Sequence, residues 1–220
     1  MVQSQLPIFP LGTVLFPNGI MPLHIFEERY RRMLHDSQNN DPAFAIALSR
    51  AGGPIDGDPL PHTVGTACRI SGVSPRPDGR SDIVVSGTFR VRIGDLDWSN
   101  GYAVGEVEPL DDVMKDDACV AESYDRTRTR FSTYLEVLEL LIGEELPKLD
   151  PTRDPARGAW VIGETLTLHT WERQELLEAP TVDDRLSILE RFLRREYAIL
   201  LHTGMIGSTI DFPGRNMSVN

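Results

Sequence analysis

The stretch Leu6–Phe26, LPIFPLGTVLFPNGIMPLHIF, narrows the possible folds more than any other part of this chain. It is strongly apolar, yet Pro7, Pro10, Pro17 and Pro22 interrupt it. Proline lacks an amide N–H and fixes φ, so the stretch cannot be one helix. Its apolar runs must be short extended pieces, with proline at their ends or on a sheet edge. Residues 6–9, 13–16 and 20–25 read as such pieces, and FPNG (Phe16–Gly19) reads as the turn between the last two. The same interruptions keep it far below the ~18–20 continuous apolar residues of a membrane span. No basic region precedes it, so it does not read as an export signal, and a cytoplasmic location is expected.

Further along, FEERYRRML places Phe26, Tyr30, Met33 and Leu34 at helical spacing, and AFAIALSR (43–50) reads as a short buried strand after it. The strongest strand signal is SDIVVSGTFRVRI, where Ile83, Val85, Phe89, Val91 and Ile93 alternate with mostly polar neighbours. Gly87 lies on its apolar face, at a position suited to a sharp bend. TVGTACRISGV (63–73) precedes it as a hairpin partner across PRPDG, and YAVGEVEPL (102–110) follows it. A closed or nearly closed β-barrel buries such strands without leaving open edges.

After DDVMKDD (111–117) the period changes. Val120, Tyr124, Thr127, Phe131, Leu135, Leu138 and Ile142 lie on one helical stripe. Asp154, Thr170 and Thr181 stand where N-caps of three further helices are expected, the last with a stripe of Val182, Leu186, Leu189, Leu193, Tyr197 and Leu200. Together these predict a helical bundle. The expected division is 1–112 for the barrel, 113–202 for the bundle and 203–220 for a tail, of which Met205, Ile206, Ile210 and Phe212 could dock.

Charge and motif content narrow the function. The net charge is −11, and residues 111–220 (13 Lys+Arg against 21 Asp+Glu) are more acidic than residues 1–110 (9 against 12). Nonspecific nucleic-acid binding needs clustered positive charge, so no nucleic acid is expected. Arg90 and Arg92 on the polar face of one strand, and Arg126, Arg128 and Arg130 on a helix with acidic neighbours, read as solvated charge. His24, His35, His62, His169 and His202 show no metal-ligand spacing, and there is no CxxC. No metal or cofactor is expected. Cys68 and Cys119 read as free thiols. A G-x-S-x-G elbow and a G-x-x-x-x-G-K-[ST] loop are both absent, so no catalytic residue is assigned and the chain is expected not to be an enzyme.

Four segments in order carry a family resemblance. Leu6, Pro7, Pro10, Leu11, Phe16, Pro17, Pro22 and Leu23 match the opening pattern of the LON domain, the N-terminal substrate-binding domain of Lon proteases. VGTACRI with VVSGTFRVRI resembles its paired strands, YAVGEVEPL its next strand, and WERQELLEAPTVDDRLSILERFLRREYAIL its closing helices. The resemblance implies an α+β fold: a PUA-like β pseudo-barrel followed by an α-helical bundle. It also implies recognition of protein or peptide partners, namely unfolded or exposed hydrophobic segments, within a system that includes a protease. Neither Lys115 nor Lys148 lies in a segment like the protease's Ser-Lys site, so the chain resembles a standalone LON domain.

The candidate binding surface is an exposed apolar patch of Phe16, Pro17, Ile20 and Met21 beside the FPNG turn, because such patches mark sites for another chain. Two alternatives stand beside it. PUA-like barrels also bind RNA, and a small molecule could sit between barrel and bundle.

Overall fold

The structure is a computed structural model that describes residues 4–50, 59–146 and 151–209, with side chains through His202. Six strands come first: β1 (Ser4–Leu11), β2 (Ile20–Ile25), β3 (Phe44–Arg50), β4 (Leu60–Pro75), β5 (Ser81–Asp97) and β6 (Val104–Leu110), with helix α1 (Glu28–Ser37) between β2 and β3. Four helices follow: α2 (Asp117–Ile142), α3 (Pro155–Thr165), α4 (Thr170–Glu178) and α5 (Val182–Thr209).

The strand order is β2-β5-β4-β3-β1-β6, and a second pairing of β5 with β6 closes a ring. β5 is long enough to serve two neighbours on one side. Its first half, Ser81–Ser86, pairs with β2, and Arg90–Asp97 pairs with β6. Among the described residues, five strands therefore close on themselves; β2 is left as an open edge, and so is the far end of β4, where Ile70–Pro75 pair with β5 alone. β1 and β3 run parallel; the other pairings are antiparallel.

Apolar side chains sort into three packed groups. Ile8, Ala45, Ala67, Val91, Ile93 and Val107 fill the barrel. Phe9, Ile25, Met33, Phe44, Ile83 and Val85 pack where α1 covers the sheet. In the third group Trp160, Leu176, Leu186, Leu189 and Phe131 of the helices meet Val14, Phe16, Leu48 and Val64 of the barrel half. Barrel and bundle thus share one core. Burying each large apolar side chain there contributes about 1.5–3 kcal/mol.

The helix starts follow ordinary capping chemistry. The Asp116 carboxylate accepts from the Ala118 and Cys119 amides, and Asp154 accepts from Ala156. The Asp184 amide donates to the Thr181 hydroxyl, as expected for α5. α4 differs from expectation: His169, not Thr170, is its N-cap, and the buried Glu172 carboxylate accepts the His169 amide. α2 ends at Gly143, whose φ of 73° is the left-handed region glycine tolerates.

Other expectations change. Residues 13–16 form no strand. The Val14 carbonyl accepts from Arg173 and the Leu15 carbonyl from the Thr66 hydroxyl, so side chains replace the sheet ladder there. Ile142 is exposed because the α2 stripe is buried only as far as Tyr134. α5 continues to Thr209, past residue 203 where the tail was placed. The side chains of Met205, Ile206, Ile210 and Phe212 lie outside the described residues. Cys68 and Cys119 are free, Cys68 buried with its thiol pushed up to about 12 by desolvation.

Candidate functional site: the β2 face and the barrel–bundle seam

The four patch residues do not share one surface. Phe16 is fully buried at 0% exposure, its ring stacked 5.2 Å from Trp160 and lying 4.5 Å beneath the Arg173 guanidinium. Pro17 is buried beside it. Their expected exposure is corrected, and the reason is the third layer: α3 and α4 cover the side of the barrel where the turn lies. Ile20 is 72% exposed. Met21 alternates inward and packs, partly buried, against the core under α1.

The turn is held tightly on β5. The Asn18 amide donates to the Gly87 carbonyl and the Gly87 amide to the Gly19 carbonyl, each at 2.9 Å. A β-carbon at Gly87 would lie 2.4 Å from the Phe16 carbonyl oxygen, so only glycine admits this approach. Gly87 is thus where the opening stretch docks.

Beyond the turn an apolar strip remains on the outer face of the β2–β5 pair. Ile20 lies opposite Ser86, Pro22 opposite Val84 and His24 opposite Asp82. Residues opposite one another share a face, so Ile20, Pro22 and Val84 form the strip. Phe26, 58% exposed, stacks on the His24 ring at 5.9 Å. Its polar end is ordered: His24 Nδ1 and Asp82 Oδ1 lie 2.7 Å apart, and Arg76 donates to Asp82 Oδ2 at 2.7 Å. These two partners, His24 first, hold the Asp82 carboxyl below its ordinary range. Pro22 also breaks the row of N–H donors along the open edge, a device that discourages strand-to-strand aggregation. The strip can make apolar side-chain contact; Ser86, on the same face, accepts from the Ser71 hydroxyl at 3.2 Å and is separated from the His24–Asp82 pair by the Pro22–Val84 pair.

At the seam between the two halves the strand alternation misleads. Arg90, expected in solvent, is 3% exposed. The outer face of β5 is covered by the bundle there, so an even-numbered residue is buried as fully as Val91, which faces the barrel interior. Phe89, expected in the core, is partly exposed. Arg90 Nη1 donates to the Leu177 and Ala179 carbonyls at the C-terminal end of α4, at 3.0 and 2.7 Å. Its Nη2 donates to the Asp111 carbonyl and to Asp112 Oδ1. Arg185, fully buried, donates to the same Asp112 oxygen and lies 3.5 Å over the Trp160 ring. This arrangement locks strand, linker and helices together. A single arginine in a strand gives no sequence signal for it.

The helical arginines are paired: Arg126 donates to Glu122 at 2.9 Å, Arg128 lies 3.9 Å from Asp125, and Arg130 lies 3.4 Å from Glu190. Among the described residues no group of three or more His, Cys, Asp or Glu side chains is arranged to hold a metal, and no helix is long and apolar enough to cross a membrane.

A strand barrel closed by one long shared strand and buttressed by a four-helix unit defines the class. The family description "ATP-dependent protease La (LON) substrate-binding domain" matches residues 5–195, and the chain belongs to this family. The description names the substrate-binding part of the protease, not its catalytic part. The chain is 26% identical over 200 residues to Lon protease of Escherichia coli K12, covering 90% of this chain and 26% of that protein. It is 24% identical over 210 residues to Lon protease of Brevibacillus choshinensis, covering 94% of this chain and 27% of that one. It therefore spans about a quarter of the length of these relatives. Among solved structures, the Lon N-terminal domain protein from Xanthomonas campestris superposes with a TM-score of 0.59 at 26% identity, covering 86% of this chain and 98% of that one. The N-terminal domain of Mycobacterium avium complex Lon protease gives 0.67 at 18% identity, with 87% and 98% covered, a likeness of fold alone.

Proposed function

We propose that this chain is a non-catalytic binding module for protein segments, taking unfolded or exposed apolar stretches of a partner on the outer face of β2 and serving a protease system in the cytoplasm. The observation that carries the reading is the strip of Ile20, Pro22 and Val84, continued by Phe26, left open on a member of a substrate-binding family. Apolar contact of this kind is tolerant of sequence, which suits recognition of many unfolded chains. The net charge of −11 keeps such a surface soluble. The barrel (1–112), the bundle (113–202) and the remainder act in this reading as one unit, because the seam joins the first two. Met21 contributes by supporting the strip from beneath, and Phe16 and Pro17 by anchoring the turn.

Fluorescence anisotropy with a labelled, permanently unfolded protein tests the reading. Saturable binding at tens of micromolar or tighter is expected, about −6 kcal/mol or better. Ile20→Asp should weaken it by about tenfold, equivalent to ~1.4 kcal/mol. No binding, or an Ile20→Asp variant indistinguishable from the parent, removes the β2 face from consideration. RNA is not part of this reading, because the helical arginines already have carboxylate partners. A gel shift with structured and single-stranded RNA should retain nothing.

A further inference from the structure

The seam holds more buried positive charge than its own side chains neutralise. Arg90 and Arg185 share one carboxylate, Asp112, which is itself a third exposed at 32%. Burial pulls both guanidinium pKa values down, Arg185 to about 10, although Asp112 opposes the shift. The Nε groups of both arginines and the indole Nε1 of Trp160 have no acceptor among the described residues. Buried donors almost always have partners, so three orphans in one place mark a surplus of donors.

Beside this cluster opens a cleft of about 480 Å³, lined by Asn18, Phe89, Arg90, Asp111, Arg157 and Trp160 among others. That volume is in the range of small-ligand sites. Arg157 stands exposed on α3 and has no ion-pair partner among the described residues. Asn18, whose backbone has a φ of 64°, presents a side-chain carboxamide that makes no hydrogen bond among the described residues. Phe89, 39% exposed, supplies apolar surface, and the buried Trp160 lies in the wall behind it. Asp112 is engaged by the two buried arginines. Asp111 is the remaining carboxylate at the cleft, and it favours a ligand that also carries an N–H donor.

We propose that the cleft between barrel and bundle binds the α-carboxylate of an N-acylated apolar amino acid, with Arg157 engaging the carboxylate and Asp111 facing the amide. The buried Arg90 and Arg185 supply the favourable field behind it, the exposed Phe89 ring takes the side chain, and the buried Trp160 beside the cleft senses its occupancy. This chemistry occurs at the C-terminus of a polypeptide and in free N-acyl amino acids. The proposal is independent of the β2 face and stands or falls without it.

The chain has three tryptophans, Trp98, Trp160 and Trp171, so Trp98→Phe with Trp171→Phe leaves Trp160 as the only indole. Four probes are titrated: N-acetyl-phenylalanine, its amide, a hexapeptide ending in a free phenylalanine carboxylate, and the same peptide amidated. Saturable change in Trp160 emission is expected for the acids at about 0.1–10 mM, with the amides weaker by about tenfold. Arg157→Ala should lose the same factor while melting unchanged, and Arg157→Lys should recover part of it. Equal response to both acids identifies a general carboxylate site; response to the peptide acid alone identifies a chain terminus. Either supports the proposal. The Trp160 indole N–H resonance of the unsubstituted chain provides the same readout should the double substitution lower stability. No saturable response to any probe, equal binding of acid and amide, or an Arg157→Ala variant that binds like the parent would overturn it.

Discussion

Phe16 and Ile20 are four positions apart in one apolar stretch, and they meet opposite fates. Phe16 lies in the seam, sealed by Trp160 and Arg173, whereas Ile20 stands in solvent on the β2 face. The turn between them is pinned on Gly87, and it carries the chain from a surface covered by helices to one left bare. Similar residues therefore meet different surroundings: those in the seam hold the two halves together, and those on the β2 face stay exposed. Hydrophobicity selects candidates for both roles, and only the covering layer separates them.

The contrast can be broken from the seam side first. Phe16→Ala should destabilise the fold by about 3–5 kcal/mol, the range for emptying a large aromatic site in a core. Urea unfolding checks this, and a loss under ~1 kcal/mol would mean that the halves are held elsewhere. Arg90→Ala should follow at about 2–3 kcal/mol, because the Leu177 and Ala179 carbonyls lose their buried donor. The same unfolding experiment applies, and an effect near zero would reduce the lock to an incidental contact.

A third test concerns the ion pair inside the bundle. Glu172 is buried, accepts from both Arg195 and the His169 amide, and has its carboxyl held below the ordinary 4.5, Arg195 being the largest cause. A depressed folded-state value stabilises the protein fully above the unfolded value, and this contribution is lost as pH falls through the folded one. Stability should therefore drop below about pH 4.5, and Arg195→Gln should flatten that part of the profile in thermal melts. Parallel profiles would show that the pair does not govern acid unfolding. The smallest effect belongs to the β2 face: Ile20→Asp should change stability by no more than about 0.5 kcal/mol, as for most surface substitutions. A larger loss would mean that Ile20 is structural and the contrast false.

Much of the architecture was legible before any coordinates. Alternation in residues 81–93 marks β5, the prolines of the opening stretch mark broken extended segments, and Asp154 and Thr181 mark helix starts. Legibility ends where local pattern and layer coverage diverge. Arg90 keeps its place in the alternation and is buried all the same, because α4 lies over the outer face of β5. The 13–16 segment has strand composition, but Thr66 and Arg173 take its carbonyls and no neighbouring strand pairs with it. Half of the candidate patch was misread for the same reason, and Arg157, Asp111 and Trp160 gave no signal, since they gather from distant elements.

By itself, the sequence determined the periods: two along the strands, three to four along the helices, and breaks wherever proline or glycine forbids continuation. Those are local properties, set by sterics and by the hydrogen bonds each residue can make. Only the tertiary structure decided which side of the barrel the bundle would cover, and hence that Phe16 is core, Ile20 is surface and two arginines are buried on one carboxylate. Burial is a relation between segments far apart in the chain, and no single segment encodes what will be laid over it.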